Sequence, residues 1–355
     1  MKLLVSSLFL SALFHSSRGE KVLVLGGLPR PSSTELLQLE TTPNTCRSIP
    51  DLPGNQWVNP VAALLEDAVT VCGGTNNKAC YSLAPGAEAW QPAGELDSVR
   101  ENAAAVLAPD STWWITGGSY RGEPTASTVV YRNGSVETGP ELPFAMEKHC
   151  MTQVDDTTTF VAGVKRDVTP ASKHAFLYDW TANTFEELPG LGVDLVTVAL
   201  SCEHDLDEVV VISNYLGEDE VSSNVEIFDL ATRTWSLGPR VPVGSAASAY
   251  VTLPIRDSDG YTPGFDIIGS NNAEDEDVSA VYVWTGFGHE WYQAEQRLKF
   301  ARTNHAAVHV TEEFCVEEGS TEAPSGSTED PGNSANSVCI SGLLVLVISV
   351  VAQVL

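Results

Sequence analysis

The sequence predicts an all-β fold in which six repeated antiparallel sheets form a closed β-propeller. Pairs of glycines end apolar runs at Gly26-Gly27, Gly73-Gly74 and Gly117-Gly118, with spacings of 47 and 44 residues. Repeats of this length are typical of propeller blades. Each pair is followed by a second apolar run, and an aromatic residue and a Pro-containing turn recur farther along the repeat. Residues 302–308 echo residues 100–106, which open the third unit, so residues 304–313 are predicted to supply the innermost strand of the first unit.

In three further repeat units, the Gly-Gly pair is replaced by other small or polar residues. Their apolar runs end at Gly163, at Ser213-Asn214 and at Gly269-Ser270, which brings the count to six. Glycine at a strand end lets two backbones approach where a Cβ would clash. A large aromatic residue at the later position can pack between two sheets. That position is filled by Trp90, Phe185, Trp235 and Trp291.

The pattern resembles the kelch repeat, in which a strand ending in Gly-Gly is followed by a strand with an aromatic residue and then by a Trp. The resemblance covers about residues 21–315 and implies blades of antiparallel strands arranged radially around a channel. Arg302-Thr303-Asn304 matches Arg100-Glu101-Asn102, which opens the third blade. We therefore expect a C-terminal strand to complete blade one, since closure removes exposed sheet edges.

The charge balance excludes a nucleic-acid partner. Nineteen Lys and Arg stand against 47 Asp and Glu, which gives a formal net charge of −28. A phosphate-binding surface needs clustered positive charge, which this chain lacks. The acidity is interpreted as a source of solubility.

The first residues predict export. Met1 and Lys2 form a short basic start, an apolar run follows, and Ser17-Arg18-Gly19 offers small residues for cleavage, so residues 1–19 are predicted to be a signal peptide. Removal of Lys2 and Arg18 leaves 17 basic residues, so the mature net charge becomes 17 − 47 = −30. The propeller is predicted over residues 20–315.

The last residues predict attachment to the outer cell surface. Residues 316–337 are rich in Ser, Thr, Pro and Gly and are predicted to form a stalk. Residues 338–355 carry no charge, and no Lys or Arg follows them as it usually does on the cytoplasmic side of a membrane span. A GPI signal is therefore favoured, and a minimal transmembrane anchor is the alternative.

The cysteines and one Asn predict covalent modifications of an exported protein. Of seven cysteines, Cys339 lies in the tail, and the even number that remains favours disulfides over metal ligation. Asn133 begins the single N-x-[ST] acceptor and is predicted to be glycosylated. From the expected blade positions, the predicted disulfides are Cys72–Cys80, Cys46–Cys315 and Cys150–Cys202.

No motif predicts catalysis, a metal or a cofactor. His305 and His309 have strand spacing on one face, but a metal site needs a third ligand, so two histidines on a channel-lining strand are the simpler interpretation. Asp257-Ser258-Asp259-Gly260 begins like a calcium loop, but the later ligands are missing. The chain also lacks the nucleophile elbow, zinc-protease and phosphate-loop motifs.

Charged residues in the loops after the Gly-Gly strands are the candidate partner-binding group, because kelch proteins commonly use this face. The leading hypothesis is a monomeric cell-surface recognition module that binds a protein or a glycan there. The alternatives are ordinary solvated loops, or a secreted carbohydrate-active enzyme that uses the central channel. The candidate residues are Tyr120 and Arg121 in blade three, Lys165, Arg166 and Lys173 in blade four, Glu218, Asp219 and Glu220 in blade five, and Asp275, Glu276 and Asp277 in blade six.

Overall fold

The described part of the chain covers most of the predicted propeller. The computed structural model describes residues 21–38, 48–165, 172–191, 197–205, 207–216, 221–242, 249–257, 260–271, 277–285 and 290–315. All of these belong to one unit, residues 1–318. The predicted signal peptide, stalk and tail lie outside the described residues. Within the described ranges, no helix has the length and apolar character needed to span a bilayer.

The first half of the chain forms three antiparallel sheets. Sheet 1 begins with β1 (Lys21–Leu25) and β2 (Thr34–Gln38). Sheet 2 contains β3 (Val61–Leu65), β4 (Ala68–Cys72), β5 (Ala79–Leu83) and β6 (Gln91–Glu95). Sheet 3 starts with β7 (Ala104–Leu107) and β8 (Trp113–Thr116). A separate ribbon of β9 (Ser119–Tyr120) and β10 (Glu123–Pro124) follows, and then β11 (Thr128–Arg132) and β12 (Ser135–Thr138) complete sheet 3.

The second half forms three more sheets of four strands. Sheet 4 contains β13 (Cys150–Asp155), β14 (Thr158–Lys165), β15 (Ser172–Asp179) and β16 (Thr184–Leu188). Sheet 5 contains β17 (Thr197–Asp205), β18 (Glu208–Leu216), β19 (Val221–Asp229) and β20 (Thr234–Leu237). Sheet 6 contains β21 (Ala249–Asp257), β22 (Gly260–Asn271), β23 (Asp277–Thr285) and β24 (Glu290–Arg297).

The last strand returns to the first sheet. β25 (Ala306–Val310) pairs antiparallel with β1, so that Ala306 lies opposite Leu25 and Val310 opposite Lys21. Sheet 1 therefore has the order β2-β1-β25, and a 3₁₀ turn at Glu312–Phe314 follows.

The all-β propeller arrangement is confirmed, but the blade count differs from the prediction. Five sheets form complete four-stranded blades in place of the six predicted. Sheet 1 has three described strands. Residues 39–47, which follow β2 in the chain, lie outside the described residues.

The core of the described part lies between the sheets. Leu23 and Leu25 of sheet 1 share an apolar cluster with Val69 and Val71 of sheet 2. A sheet that buries apolar residues on both faces needs a neighbour on each side. Four further clusters join sheets 2 and 3 (Cys72 and Ile115), 4 and 5 (Phe160 and Phe228), 5 and 6 (Ile227 and Trp284), and 6 and 1 (Val281 and Val22). A fifth packs Ala126, in the segment that leads into β11, with Val161 of sheet 4.

The recurring Trp side chains of the sequence are hydrogen-bonded to the recurring Pro-containing turns. The Trp90 indole N–H donates to the Pro50 carbonyl at 2.9 Å, although 40 residues separate the two. Each Trp thus packs at the edge of its sheet and bonds to the turn that precedes the sheet. Two other blades repeat the bond, from Trp235 to Pro189 at 2.7 Å and from Trp291 to Pro239 at 3.2 Å.

Two predicted disulfides are confirmed. Cys72 and Cys80 lie opposite each other on β4 and β5, with Cα atoms 4.2 Å apart. The Cys150–Cys202 bridge joins the first strands of sheets 4 and 5, with Cα atoms 5.6 Å apart. Cys315 is also disulfide-bonded, and its predicted partner Cys46 lies outside the described residues.

We expect Trp90 to contribute to stability through both its volume and its indole N–H. Trp90→Phe should lower the free energy of unfolding by about 1 kcal/mol, because the Pro50 carbonyl loses its donor. Trp90→Ala should lower it by about 3–5 kcal/mol, since a buried cavity is added. Urea unfolding of both variants and the native chain measures the difference. An unfolding midpoint of Trp90→Phe equal to the native one would contradict the role of the hydrogen bond.

Candidate functional site

One end of the sheets carries two kinds of connection. In each four-stranded sheet, the second strand ends and the third begins at the end of the sheet where the chain passes to the next sheet. In sheet 1, β1 ends and β2 begins at this same end. Isolated bridges join the two kinds directly, between Leu28 and Thr303 and between Glu101 and Ser119. We call this end the loop face. Its described strand connections are residues 26–33, 73–78 and 117–127.

The Gly-Gly pairs of sheets 1 to 3 tie each sheet to the following one at the loop face. Gly117 and Gly118 have φ of 56° and 85°, a region that side chains with a Cβ rarely adopt. The Gly118 N–H donates to the Met146 carbonyl at 2.8 Å, in the segment that leads into sheet 4. The same bond runs from Gly27 to Trp57 at 2.7 Å and from Gly74 to Arg100 at 3.1 Å.

Sheets 4 to 6 lack the Gly-Gly pair, and their strands continue past the place where sheets 1 to 3 turn. The second strands β4 and β8 have five and four residues, whereas β14, β18 and β22 have eight, nine and twelve. In sheet 4, the extension pairs Gly163 with His174 and Lys165 with Ser172. Three added residues lengthen a strand by about 10 Å. The second strands of sheets 4 to 6 therefore extend farther toward the loop face than β4 and β8, whereas in sheet 3 the separate β9–β10 ribbon follows the Gly-Gly turn.

Buried arginines hold two of the Gly-Gly turns. Arg100 is 2% exposed, and its Nη1 donates to the carbonyls of Gly117 at 2.8 Å and Ser127 at 2.9 Å. Asp97 accepts from its Nη2 at 3.2 Å, so the buried charge is compensated. The role of Arg100 was missed by sequence reasoning, because its main partners are backbone carbonyls.

Arg302 does the same for sheet 1. Its Nη1 lies 3.2 Å from the Gly26 carbonyl and 3.3 Å from the Ser33 carbonyl, and its Nη2 donates to Glu35 at 3.1 Å. Burial raises the pKa of the Glu35 carboxyl, against the opposing effects of Arg302 and of the Lys299 N–H that donates to it. The sequence match between Arg302 and Arg100 thus corresponds to a shared structural role.

Three predicted partner-binding residues lie at the loop face. Tyr120 is 42% exposed in the short β9–β10 ribbon. Arg121 follows it with a φ of 53°, and its guanidinium carbon lies 5.0 Å from the Tyr120 ring centroid. Lys165 ends β14 and places its Nζ 5.7 Å from the ring of Phe144, in the segment that leads into sheet 4.

Lys173 does not lie in an exposed loop. It belongs to β15, where the extension of sheet 4 replaces the predicted loop. Its Nζ lies 3.8 Å from Glu226 of sheet 5, and the two side chains are only 7% and 1% exposed. Lys173 therefore connects sheets 4 and 5 and is not available to a partner.

Two of the remaining predicted residues, Asp277 and Asn133, lie within the described part of the chain. Asp277 begins β23. Asn133 is exposed in the turn between β11 and β12, at the end opposite the loop face. The other predicted partner-binding residues lie outside the described residues, namely Arg166, Glu218, Asp219, Glu220, Asp275 and Glu276.

The structure adds a group of residues that sequence reasoning missed. Arg30 of the sheet 1 loop places its guanidinium carbon 3.8 Å from the ring centroid of Phe300. The Nζ of the exposed Lys299 lies 5.5 Å from the same ring. Three cations within residues 297–302 were a sequence signal for this group, but their proximity to Arg30 depends on the pairing of β25 with β1.

His149 is a buried histidine whose pKa is strongly lowered. It is 4% exposed, and its Nε2 lies 2.7 Å from the Thr116 hydroxyl across the junction of sheets 3 and 4. Burial lowers its pKa to about 3, since the apolar surroundings disfavour the charged form. His149 is therefore a neutral core residue at neutral pH.

The predicted histidine pair shows no metal-site geometry. His305 is buried before β25 and His309 lies within β25, where burial lowers its pKa. Among the residues that the structure describes, no three His, Cys, Asp or Glu side chains are grouped to hold a metal ion.

Comparison of the chain with protein-family models found no match. No curated protein matched the sequence either.

We expect His149 to make stability fall in acid. The neutral folded form keeps a pKa of about 3, whereas the unfolded histidine has a pKa of about 6.5. The unfolded state therefore binds one more proton between these values, and stability falls by up to about 1.4 kcal/mol for each pH unit below 6.5. Unfolding free energies of the native chain and His149→Gln, measured from pH 7 to about pH 4.5, should converge as pH falls. Parallel profiles would contradict this assignment.

Proposed function

We propose that the chain is an extracellular, cell-surface recognition module of the kelch type that binds a protein or a glycan through its loop face. The extra strand length at that face carries the proposal. Sheets 1 to 3 turn at Gly-Gly, so the extensions of sheets 4 to 6 are not required to complete a blade. The buried Lys173–Glu226 pair holds the extension of sheet 4 against sheet 5. Surface segments positioned in this way by a sheet scaffold are suited to recognition.

We also propose that sheet 1 is a sixth blade and that β25 closes the ring. Support comes from the apolar cluster that joins sheets 6 and 1. The Asn59 N–H donates to the Asn304 carbonyl at 2.7 Å, which is the bond that Lys148 makes to Asn102 at 2.8 Å between sheets 3 and 4. β25 thus occupies the place that β7 has in sheet 3.

The first strands of sheets 1 to 3 support a binding role for that side of the ring over the alternative of a channel enzyme, whereas those of sheets 4 to 6 do carry ionisable residues. β3, β7 and β25 read Val-Ala-Ala-Leu-Leu, Ala-Ala-Val-Leu and Ala-Ala-Val-His-Val. Such small and apolar residues supply few groups for acid–base or nucleophilic chemistry. That the chain is not an enzyme stays a prediction.

The disulfides fit an oxidising compartment, which supports the proposed route to the cell surface. We propose cleavage of the signal peptide, GPI attachment through the tail and glycosylation of Asn133. A glycan at Asn133 would lie at the end opposite the loop face and would leave that face accessible.

Loop-face recognition is tested by variants at its exposed aromatic residue. Tyr120→Ala combined with Arg121→Glu should reduce binding of cell-surface partners by at least about tenfold, since exposed Tyr and Arg side chains often dominate interfaces. Proximity labelling by the full chain on living cells provides the measurement. Arg132→Glu removes an exposed cation at the opposite end and serves as the control. Equal labelling by the native chain and the Tyr120/Arg121 variant would exclude this part of the face.

The anchor is tested separately. Phosphatidylinositol-specific phospholipase C should release the full chain from the surface of intact cells, because a GPI anchor is cut in its lipid headgroup. Release is measured by immunoblotting of the medium. Complete retention on cells that release a known GPI-anchored control protein would point to a transmembrane tail.

A further inference from the structure

We infer that the loop face binds an acidic segment of a partner protein, and that Arg30, supported by Phe300, is its principal carboxylate-binding residue. The inference rests on the proposed function and specifies the chemistry of the partner. It follows from four observations: the placement of the cation–aromatic pairs, the geometry of Arg30, the state of the neighbouring carboxylate, and the exposed apolar side chains.

All cation–aromatic pairs of the described residues lie at the loop face. They occur in the sheet 1 loop, the β9–β10 ribbon and the extension of sheet 4. The pairs are Arg30 and Lys299 with Phe300, Arg121 with Tyr120, and Lys165 with Phe144. In the described part of the chain, none of these four cations has an ion-pair partner. In a chain with a net charge of −28, these cations belong to sheets 1, 3 and 4 and the segments beside them, whereas the acidic residues predicted at this face belong to the fifth and sixth repeats.

Arg30 has the geometry of a prepared carboxylate-binding group. Its guanidinium carbon lies 3.8 Å from the Phe300 ring centroid, a distance at which the ring restricts the orientation of the guanidinium. A guanidinium supported in this way keeps N–H donors for a bidentate contact with a carboxylate. Arg30 is exposed, so an external carboxylate can reach it.

The neighbouring carboxylate is already engaged. Glu35 accepts from the Lys299 N–H and from Arg302, and it is 14% exposed. The Arg302 guanidinium is in turn committed to the backbone of the Gly-Gly turn. The other nearby carboxylate, Asp51, accepts from the Thr34 N–H. No ion pair in the described part of the chain occupies the Arg30 guanidinium, so it is available to a partner's carboxylate.

A protein segment fits this face better than a polyanionic glycan. Polyanions favour dense clusters of Lys and Arg. Here the four cations are distributed over three aromatic rings, and only Arg30 and Lys299 share one, Phe300. Two large apolar side chains stand exposed beside them, Leu28 at 46% and Tyr120 at 42%. Arg30 also covers the Phe300 ring, which limits stacking on a sugar. Isolated carboxylates next to apolar side chains, as in an acidic peptide, match this arrangement.

The experiment uses the purified full chain and labelled synthetic peptides. One peptide repeats Glu-Leu-Gly, the second repeats Gln-Leu-Gly, and heparin serves as the polyanionic glycan. Fluorescence anisotropy should show at least about tenfold tighter binding of the Glu peptide. Arg30→Gln should remove most of this preference, and Phe300→Leu should reduce it by a smaller factor. Arg132→Gln, which removes a cation at the opposite end, should leave it unchanged.

Three results would overturn the inference. These are equal binding of the Glu and Gln peptides, equal effects of Arg30→Gln and Arg132→Gln, or a dependence on Arg30 that appears only with heparin. The last result would assign the face to an acidic glycan. If Tyr120→Ala with Arg121→Glu abolishes cell-surface labelling while Arg30→Gln preserves both labelling and peptide binding, only this inference fails. If neither variant alters labelling, loop-face recognition fails as well.

Discussion

Both faces of the sheets are apolar, so each sheet depends on a neighbour at either side. In β1, Val22 packs with residues of sheet 6, and Leu23 packs with residues of sheet 2. A single sheet of this kind would expose apolar side chains on at least one face. Hydrogen bonds between neighbouring sheets add to this apolar packing. The Gly-Gly N–H groups and the Trp indoles supply these bonds at different places on the sheets.

Local signals in the sequence predicted those parts of the fold that one residue type alone can satisfy. The Gly-Gly turns could be predicted because a positive φ and a close backbone approach require glycine. The Cys72–Cys80 disulfide could be predicted because a short connection places both residues on paired strands. By contrast, the recurring Trp and the recurring Pro-containing turn were identified as separate sequence features. Their spacing did not predict the hydrogen bond between Trp90 and Pro50.

The candidate site was harder to predict from the sequence, because a charged residue near a predicted loop is not necessarily exposed to solvent. Lys173 was expected in a loop, but the absence of Gly-Gly lets β15 continue and buries its side chain against Glu226. Arg30 and Phe300 lie at opposite ends of the sequence and come together only through the return of β25. Such a pair requires the topology before it can be recognised.

The direction of β25 has a mechanical consequence. The strand runs from Ala306 opposite Leu25, next to the loop face, to Val310 opposite Lys21 at the far end. A partner held at the loop face and an anchor beyond the C-terminal end of β25 would pull along the strand axis. Hydrogen bonds in an antiparallel pair lie across that direction. Cys315 follows β25 and is disulfide-bonded, so tension from such an anchor would reach this covalent cross-link before it loads the five residue pairs of β1 and β25.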